Sequence, residues 1–600
     1  MSVETGTPEA QRAAARAGHG PAQVPAPADA AVAAAHRWGR LRAKARTYVL
    51  VAVVLAILLS YVGYPLLQTV LLSLTRNGEL SLANYREFFN LQRPTNLEAL
   101  GNSLYLSFWT VLLSAVVGAA LAFFYHRYRF PGSTVFATLV ITPMVFPPLV
   151  SVISYMWLFG EAGVVPGLIR DWLGLARAPF ALKGFSGILL IHVYTQFIYF
   201  YMLLSAALER FDHSVEEAAA VLGASRWYTL RRVTMPMLMP AFVAGALITF
   251  MVSMSSFSAP YMLGDRFRVL SIQIFMSKLN GNMEMAATQA VVLGLICIIV
   301  VLTLRWYEGR SQYTSTGKGV GLRPIQMSRG PVRVAAVAAS VLLSLVLLLP
   351  HIMLFIISLV PTGTWTWQTV PPVLSFVNYG FLFTRPALWA PVKNSVIMAG
   401  MATLAGVLFA LVASYLVTKV RFVGRQLLDA LIMIPWALPG TIVAISMIIA
   451  FNQPLPTTFG RVLVGTVWIL PLAYFVNLMP LVVRSTSASL QQLDNSLIEA
   501  ALSLGANWLM VFRRVILPIV MPGVLSGALL MFVHGFGEFT ASILLYVADN
   551  RPISIGILER MQFFELGEAA VLGIVQVILM MIVLVVTRHW LGTRSHQAYF

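Results

Sequence analysis

The sequence predicts an all-α polytopic membrane protein with about twelve transmembrane helices arranged as two parallel six-helix repeats. Three observations predict it. Of 600 residues, 58% are hydrophobic and only 11% charged, with mean hydropathy +0.80, whereas soluble domains carry about 25% charged residues. Apolar runs of the length a bilayer-spanning helix needs, about 20 residues, recur along the chain. One hydrophilic line is also written twice, as EEAAAVLGASRWYTLRRVTMPMLMP from Glu216 and EAALSLGANWLMVFRRVILPIVMPG from Glu499.

In chain order, residues 1–46 are rich in Ala and Pro and read as a disordered cytoplasmic tail. The first apolar run begins too far from Met1 for a secretory signal, so it is expected to stay in the membrane. Twelve spans are expected near 47–75, 103–125, 135–159, 186–208, 241–263, 286–304, 333–360, 395–417, 427–451, 462–483, 524–547 and 569–587. They divide into a first six-helix domain, 47–307, a cytoplasmic linker, 308–332, and a second six-helix domain, 333–600. The linker's Gly, Ser and basic residues suit a flexible connection. Its Gly317-Lys318 is followed by Gly319, so it lacks the Ser or Thr of a phosphate-binding loop.

The net charge of +18 poses a topological question before any other. With the N-terminus inside, the basic clusters at Arg37 to Arg46, Arg127/Arg129, Arg231/Arg232, Arg305 to Arg333, Lys419 to Arg425 and Arg513/Arg514 all fall on the cytoplasmic side. That is the positive-inside pattern of a multi-pass membrane protein with its N-terminus in the cytoplasm. Nucleic acid is therefore not the expected partner; the bilayer is. The single cysteine, Cys297, lies in an apolar run and rules out a disulfide within the chain.

Aligning Glu217–Pro240 with Glu499–Pro522, an offset of 282, makes twelve of 24 positions identical. Upstream, at an offset of 292, Asn102-Ser103 answers Asn394-Ser395, Arg129-Phe130 answers Arg421-Phe422, and Pro143 and Pro147 answer Pro435 and Pro439. The ten-residue difference falls in the loop after the third span, Gly160 to Phe185, where a duplicated core tolerates insertion. Six helices per half leave both copies facing the same way, a parallel repeat.

The repeated line reads as a short helix through Leu222, a stop or sharp turn at Gly223, then a second helical stretch carrying Arg231 and Arg232. Pro236 and Pro240 are expected in the first turn of the fifth span, where proline costs little. Ala241/Gly245 and Gly523/Gly527 have the small-xxx-small spacing that lets membrane helices approach closely. An interfacial amphipathic helix would read similarly. Two copies retaining Glu, Gly and Pro at the same spacing favour a docking element.

The spacing E-A-A-x3-G with a proline thirteen residues after the glycine stands twice here, as Glu217-Ala218-Ala219…Gly223…Pro236 and Glu499-Ala500-Ala501…Gly505…Pro518. In this the chain resembles the permeases of binding-protein-dependent ABC importers, from about residue 47 to 590. The resemblance implies a type I permease fold whose loops, including Arg231 and Arg513, form coupling helices on a cytoplasmic ABC ATPase dimer. Glu217 and Glu499 would anchor the contact, and Gly223 and Gly505 would permit the turn. ATP would be used by that partner, with no cofactor bound by this chain. An extracytoplasmic solute-binding protein would deliver the substrate. The fused two-motif form looks like the ferric-iron and thiamine importers, and Phe257 to Phe275 with His534 to Tyr546 look most like the ferric-iron permeases. Thiamine, polyamine and phosphonate remain alternatives.

Ionisable residues within spans mark candidate pathways. His534 and Glu538 are expected one turn apart on helix eleven, sharing a face, with Ser256 the repeat partner of Glu538. They are a candidate translocation pathway or gate; a hydrated or bonded Glu538 near the outer interface is the blander reading. His192 is expected to bond between helices, and Tyr194, Tyr199 and Tyr201 to belong to an interfacial aromatic belt. No residues have metal-site spacing, and no nucleophile–base constellation marks an enzyme. A secondary transporter also uses parallel repeats. It would be expected to carry intramembrane charges in both halves, which this sequence does not.

Overall fold

The structure, a computed structural model, describes residues 45, 47–310, 325–327, 330–365 and 368–592. Apart from Ala45, the expected tail 1–46 lies outside the described residues, as does most of the linker 308–332. The chain divides into two compact units, Met1–Ala56 and Ile57–Phe600. The described part of the first is helical. The second is built of two halves.

Its first half contains α1 (Tyr64–Ser73), α2 (Thr95–Arg127), α3 (Ser133–Leu139), α4 (Pro148–Phe159), α5 (Gly184–Glu209), α6 (Ser214–Val221), α7 (Arg226–Met254), α8 (Ser258–Leu263), α9 (Leu270–Leu279) and α10 (Met283–Arg310). The second half repeats the series as α11 (Pro331–Ser358), α12 (Pro386–Lys419), α13 (Arg425–Ala437), α14 (Gly440–Phe451), α15 (Ile469–Gln492), α16 (Asn495–Ser503), α17 (Trp508–Phe536), α18 (Thr540–Leu545), α19 (Ile553–Gln562) and α20 (Leu566–Gly592). Each of these ten helices of the first half has its counterpart ten labels on. Among the described residues, eleven helices are long and apolar enough to cross a membrane, and twelve if the bent pair α13–α14 counts as one span.

In each half three helices form the core: α2, α5 and α7, and likewise α12, α15 and α17. Small residues set their spacing. A Cβ on Gly245 would lie 2.8 Å from the Phe200 ring, and one on Gly527 would lie 2.7 Å from the Val482 Cα. The backbones thus meet where a side chain would not fit, as the small-xxx-small spacing predicts. The first helix of each half packs on the opposite half, α1 against α14 and α11 against α4. Tyr194 fastens the second of these exchanges, donating to the Leu347 carbonyl at 2.8 Å. Tyr201 donates to the Ala137 carbonyl at 3.1 Å. Both rings are buried, so Tyr194 and Tyr201 hold helices together and do not belong to an interfacial belt.

Four expected spans are broken. The third and ninth stop and restart at Pro147 and Pro439, which cap α4 and α14; the second break bends the chain by 105°. Neither proline has an N–H to continue a helix. The fifth and eleventh, expected at 241–263 and 524–547, begin instead at Arg226 and Trp508 and end at Met254 and Phe536, with α8 and α18 as separate short helices. Pro236 and Pro518 consequently do not stand in a first turn. Each follows a five-residue π-helical stretch, Leu230–Thr234 and Phe512–Ile516, inside a continuous helix. A proline forbids the bond to the carbonyl four residues back and crowds it, and one widened turn relieves both. The tenth span lies later than expected, at Ile469–Gln492, and the sixth runs through Arg310, beyond the expected domain limit of 307. The longer loop of the first half is occupied by a short helix, Val164–Leu173.

Candidate functional site

The two copies of the repeated line fold alike. α6 ends in a left-handed Gly223 at φ +82°, and α16 in Gly505 at the same φ. Ala224 N–H returns to the Ala219 carbonyl at 3.0 Å and Ala506 N–H to Ala501 at 3.1 Å. These six-to-one bonds satisfy carbonyls the helix end leaves open, and only glycine takes that conformation without a Cβ penalty. The next helix starts at once. The Ser225 hydroxyl accepts from Tyr228 N–H at 3.2 Å, and the Asn507 side chain from Met510 N–H at 2.8 Å. Upstream, Asp212 accepts from Ser214 N–H at 3.0 Å and Asp494 from Ser496 N–H at 2.9 Å. Both carboxyls are held below the ordinary range, Asp212 chiefly by the Ser214 hydroxyl and Asp494 chiefly by the Ser496 N–H.

Each line is therefore a helical hairpin continuous with a membrane helix. Glu217, Ala218, Glu499, Ala500, Arg231 and Arg513 are exposed, while Ala219 and Ala501 are half-buried. Beside them stand apolar side chains with nothing over them: Val221 and Leu222 at 87% exposure, Leu504 at 88% and Leu509 at 70%. Apolar surface on the polar side of a helix turn points to a protein partner.

The second place where the halves repeat a special geometry is the break after α7 and α17. Ser271 donates to the Ser256 carbonyl at 2.7 Å, and Ser554 donates to the Glu538 carbonyl at 2.7 Å. Each hydroxyl ties a broken helix end to α9 or α19. Ser256 also meets His192 Nε2 at 2.8 Å, and the His192 Nδ1 side faces Thr110 and Ser253, each at 3.3 Å. This is the interhelical role expected of His192. In the second half the tie is Tyr474, whose hydroxyl lies 2.7 Å from that of Ser542. Immediately past the breaks, the rings of Phe257 and Phe539 meet across the two halves.

His534 and Glu538 do not share a helix face. α17 ends at Phe536, leaving Glu538 beyond it. The Glu538 carboxylate accepts from Ala541 N–H at 2.8 Å and from Ser542 N–H and Oγ at 2.9 Å. His534 is exposed and bonds the Leu530 carbonyl of its own helix at 2.8 Å. The sequence reading missed Asp212/Asp494, Ser225/Asn507, Ser271/Ser554 and Phe257/Phe539. Their signal was present, because the alignment at an offset of 282 or 283 carries through all of them.

Comparison with known proteins matches this architecture. The family described as binding-protein-dependent transport system inner membrane component matches twice, over residues 114–311 and 402–598, and both hairpins and both breaks fall within the matches. A probable ABC transporter permease, y4fN of Sinorhizobium fredii, is 29% identical over 86% of this chain and 90% of its own length. The ferric transport system permease FbpB of Actinobacillus pleuropneumoniae is 29% identical over 81% of this chain and 70% of its own length. The sulfate transport system permease CysT of Salmonella typhimurium is 31% identical over 33% of this chain and 75% of its own length. Two such domains in one polypeptide place the chain in the family of binding-protein-dependent ABC transporter permeases, as a fused, two-domain inner membrane component.

Proposed function

We propose that the chain is the membrane permease of an ATP-driven ferric-iron importer. In this reading an ATPase pair grips the hairpins at Gly223 and Gly505 from the cytoplasmic side. Closure of that pair turns the two six-helix halves against each other, moving the breaks around Ser256 and Glu538. An extracytoplasmic solute-binding protein supplies the cargo. The observation that carries the substrate is one of extent: relatives named for ferric transport match across both halves, over 81% to 84% of the chain, while those named for sulfate and molybdenum match about a third of it.

The test is to purify the complex this chain forms in its native membrane, identify the co-purifying subunits and determine what the binding protein carries. An ATPase and a ferric-loaded binding protein are expected. A binding protein loaded with sulfate or molybdate would overturn the substrate, and a complex with no ATPase would overturn the whole reading.

A further inference from the structure

The two hairpins are alike outside and unlike underneath. In the first half, Glu216 turns inward with 17% of its side chain exposed. One carboxylate oxygen accepts from the Thr234 hydroxyl at 2.5 Å. The other meets His213 Nδ1 at 3.2 Å and faces the Arg127 guanidinium at 3.8 Å. These groups come from α2, from the loop before α6, from α6 itself and from the π stretch of α7. A single carboxylate thus ties three elements into one body.

In the second half all four positions change together. Arg127 is answered by Lys419, His213 by Asn495, Glu216 by Ile498 and Thr234 by Ile516. Ile498 packs on a buried apolar cluster of Leu490, Leu493, Val511, Ile516, Val520 and Val524. Lys419 finds Ile498 where Arg127 finds Glu216; it donates to the Leu493 carbonyl at 2.6 Å and to Asn495 at 2.8 Å, and its charge is felt by Asp494. Removing both partners of a buried polar contact and filling the space with apolar groups preserves a seat, whereas removing one partner leaves the other unsatisfied. The concerted exchange is what two separate solutions to one mechanical demand look like.

We infer that Glu216 is the positioning residue of the first hairpin, a polar clamp that does for α6 what the apolar cluster does for α16, so the two levers are held by different physics. The inference rests on the hairpins being levers for an ATPase. Its physical core is tested on the permease alone.

The experiment measures hydrogen exchange of the full chain in lipid nanodiscs. Glu216→Gln should speed exchange in residues 214–221 by about tenfold, the loss expected for a hydrogen bond to a charged group, and leave 495–503 unchanged. A graft of the second-half set, R127K/H213N/E216I/T234I, should return 214–221 to within about twofold of the parent. Unchanged exchange in E216Q, faster exchange in both hairpins, or a graft as loose as E216Q would each overturn the clamp. In the complex with ATPase, E216Q should retain the subunit but lose stimulation of hydrolysis by the binding protein, and the graft should regain it. Full stimulation in an E216Q complex would overturn the positioning role. A parent complex that holds no ATPase would instead overturn the docking reading, leaving the exchange result standing.

Discussion

Phe257 and Phe539 hold the same place in the two halves and meet edge to face, ring centroids 5.9 Å apart, at 1% and 4% exposure. Each begins the short helix that follows a break, and Tyr261 and Phe275 pack around the pair. In the proposed transport reading, this contact between the two breaks is a seal that opens when the halves separate. Edge-to-face aromatic pairs contribute about 0.5–1.5 kcal/mol beyond area burial. The double variant F257A/F539A is expected to raise leak of small ions from proteoliposomes by about tenfold in the absence of ATP, the factor that 1.4 kcal/mol corresponds to. Leak equal to that of the parent would show that the path is closed elsewhere.

The glycines that end α6 and α16 make a separate prediction. Nothing lies within 4 Å of a Cβ placed on Gly223 or Gly505, so an added methyl meets no neighbour. The cost is conformational, about 1–2 kcal/mol for a residue with a side chain held left-handed. Gly223→Ala and Gly505→Ala should each loosen their own hairpin by that amount, and asparagine, which tolerates the region better, by less. Hydrogen exchange of 214–229 and 495–511 reads this directly. Equal effects of alanine and asparagine would mean that crowding by neighbours, not backbone strain, sets the requirement.

The repeat was the most legible feature of the sequence, and it located the hairpins and the glycine stops; it paired Pro147 with Pro439 without reading either as a break. Hydropathy found the spans but not their interruptions. The residues at Ser255–Phe257 and Gly537–Phe539 are too few to register in a 20-residue window, so α7 and α8 read as one helix. Tyr194 shows the limit of a belt argument, since an aromatic near a span is placed by what packs beside it. Here that is α11 from the other half. Glu538 and His534 fit a four-residue spacing on paper, but that spacing means a shared face only if the helix continues.

Charge reversal at Glu217 and Glu499 separates docking from folding. Both side chains are exposed and, among the described residues, neither enters an ion pair, so charge reversal breaks no salt bridge there. Surface changes of this kind cost within about 0.5 kcal/mol of stability. E217K/E499K should therefore insert and purify like the parent while transport in the reconstituted system falls to background. Uptake at the parental rate would remove these carboxylates from the coupling contact. Loss of protein from the membrane would assign them a structural role instead.

Asp212 and Asp494 give the hairpins a pH dependence with a definite sign. Both folded-state carboxyls lie below the ordinary aspartate value because N–H and hydroxyl groups of Ser214 and Ser496 bond the charged form. A depressed carboxylate contributes its stabilisation in full above the unfolded value, about 3.9, and loses it as pH falls through the lower folded value. Protection of α6 and α16, corrected for intrinsic exchange, should thus be constant from pH 7 to about pH 5 and fall below about pH 4. Asparagine caps a helix as well as aspartate without titrating. D212N/D494N should keep the neutral-pH protection and show none of the acid-side loss in these two helices. The same loss in the asparagine variant would place the titrating groups elsewhere.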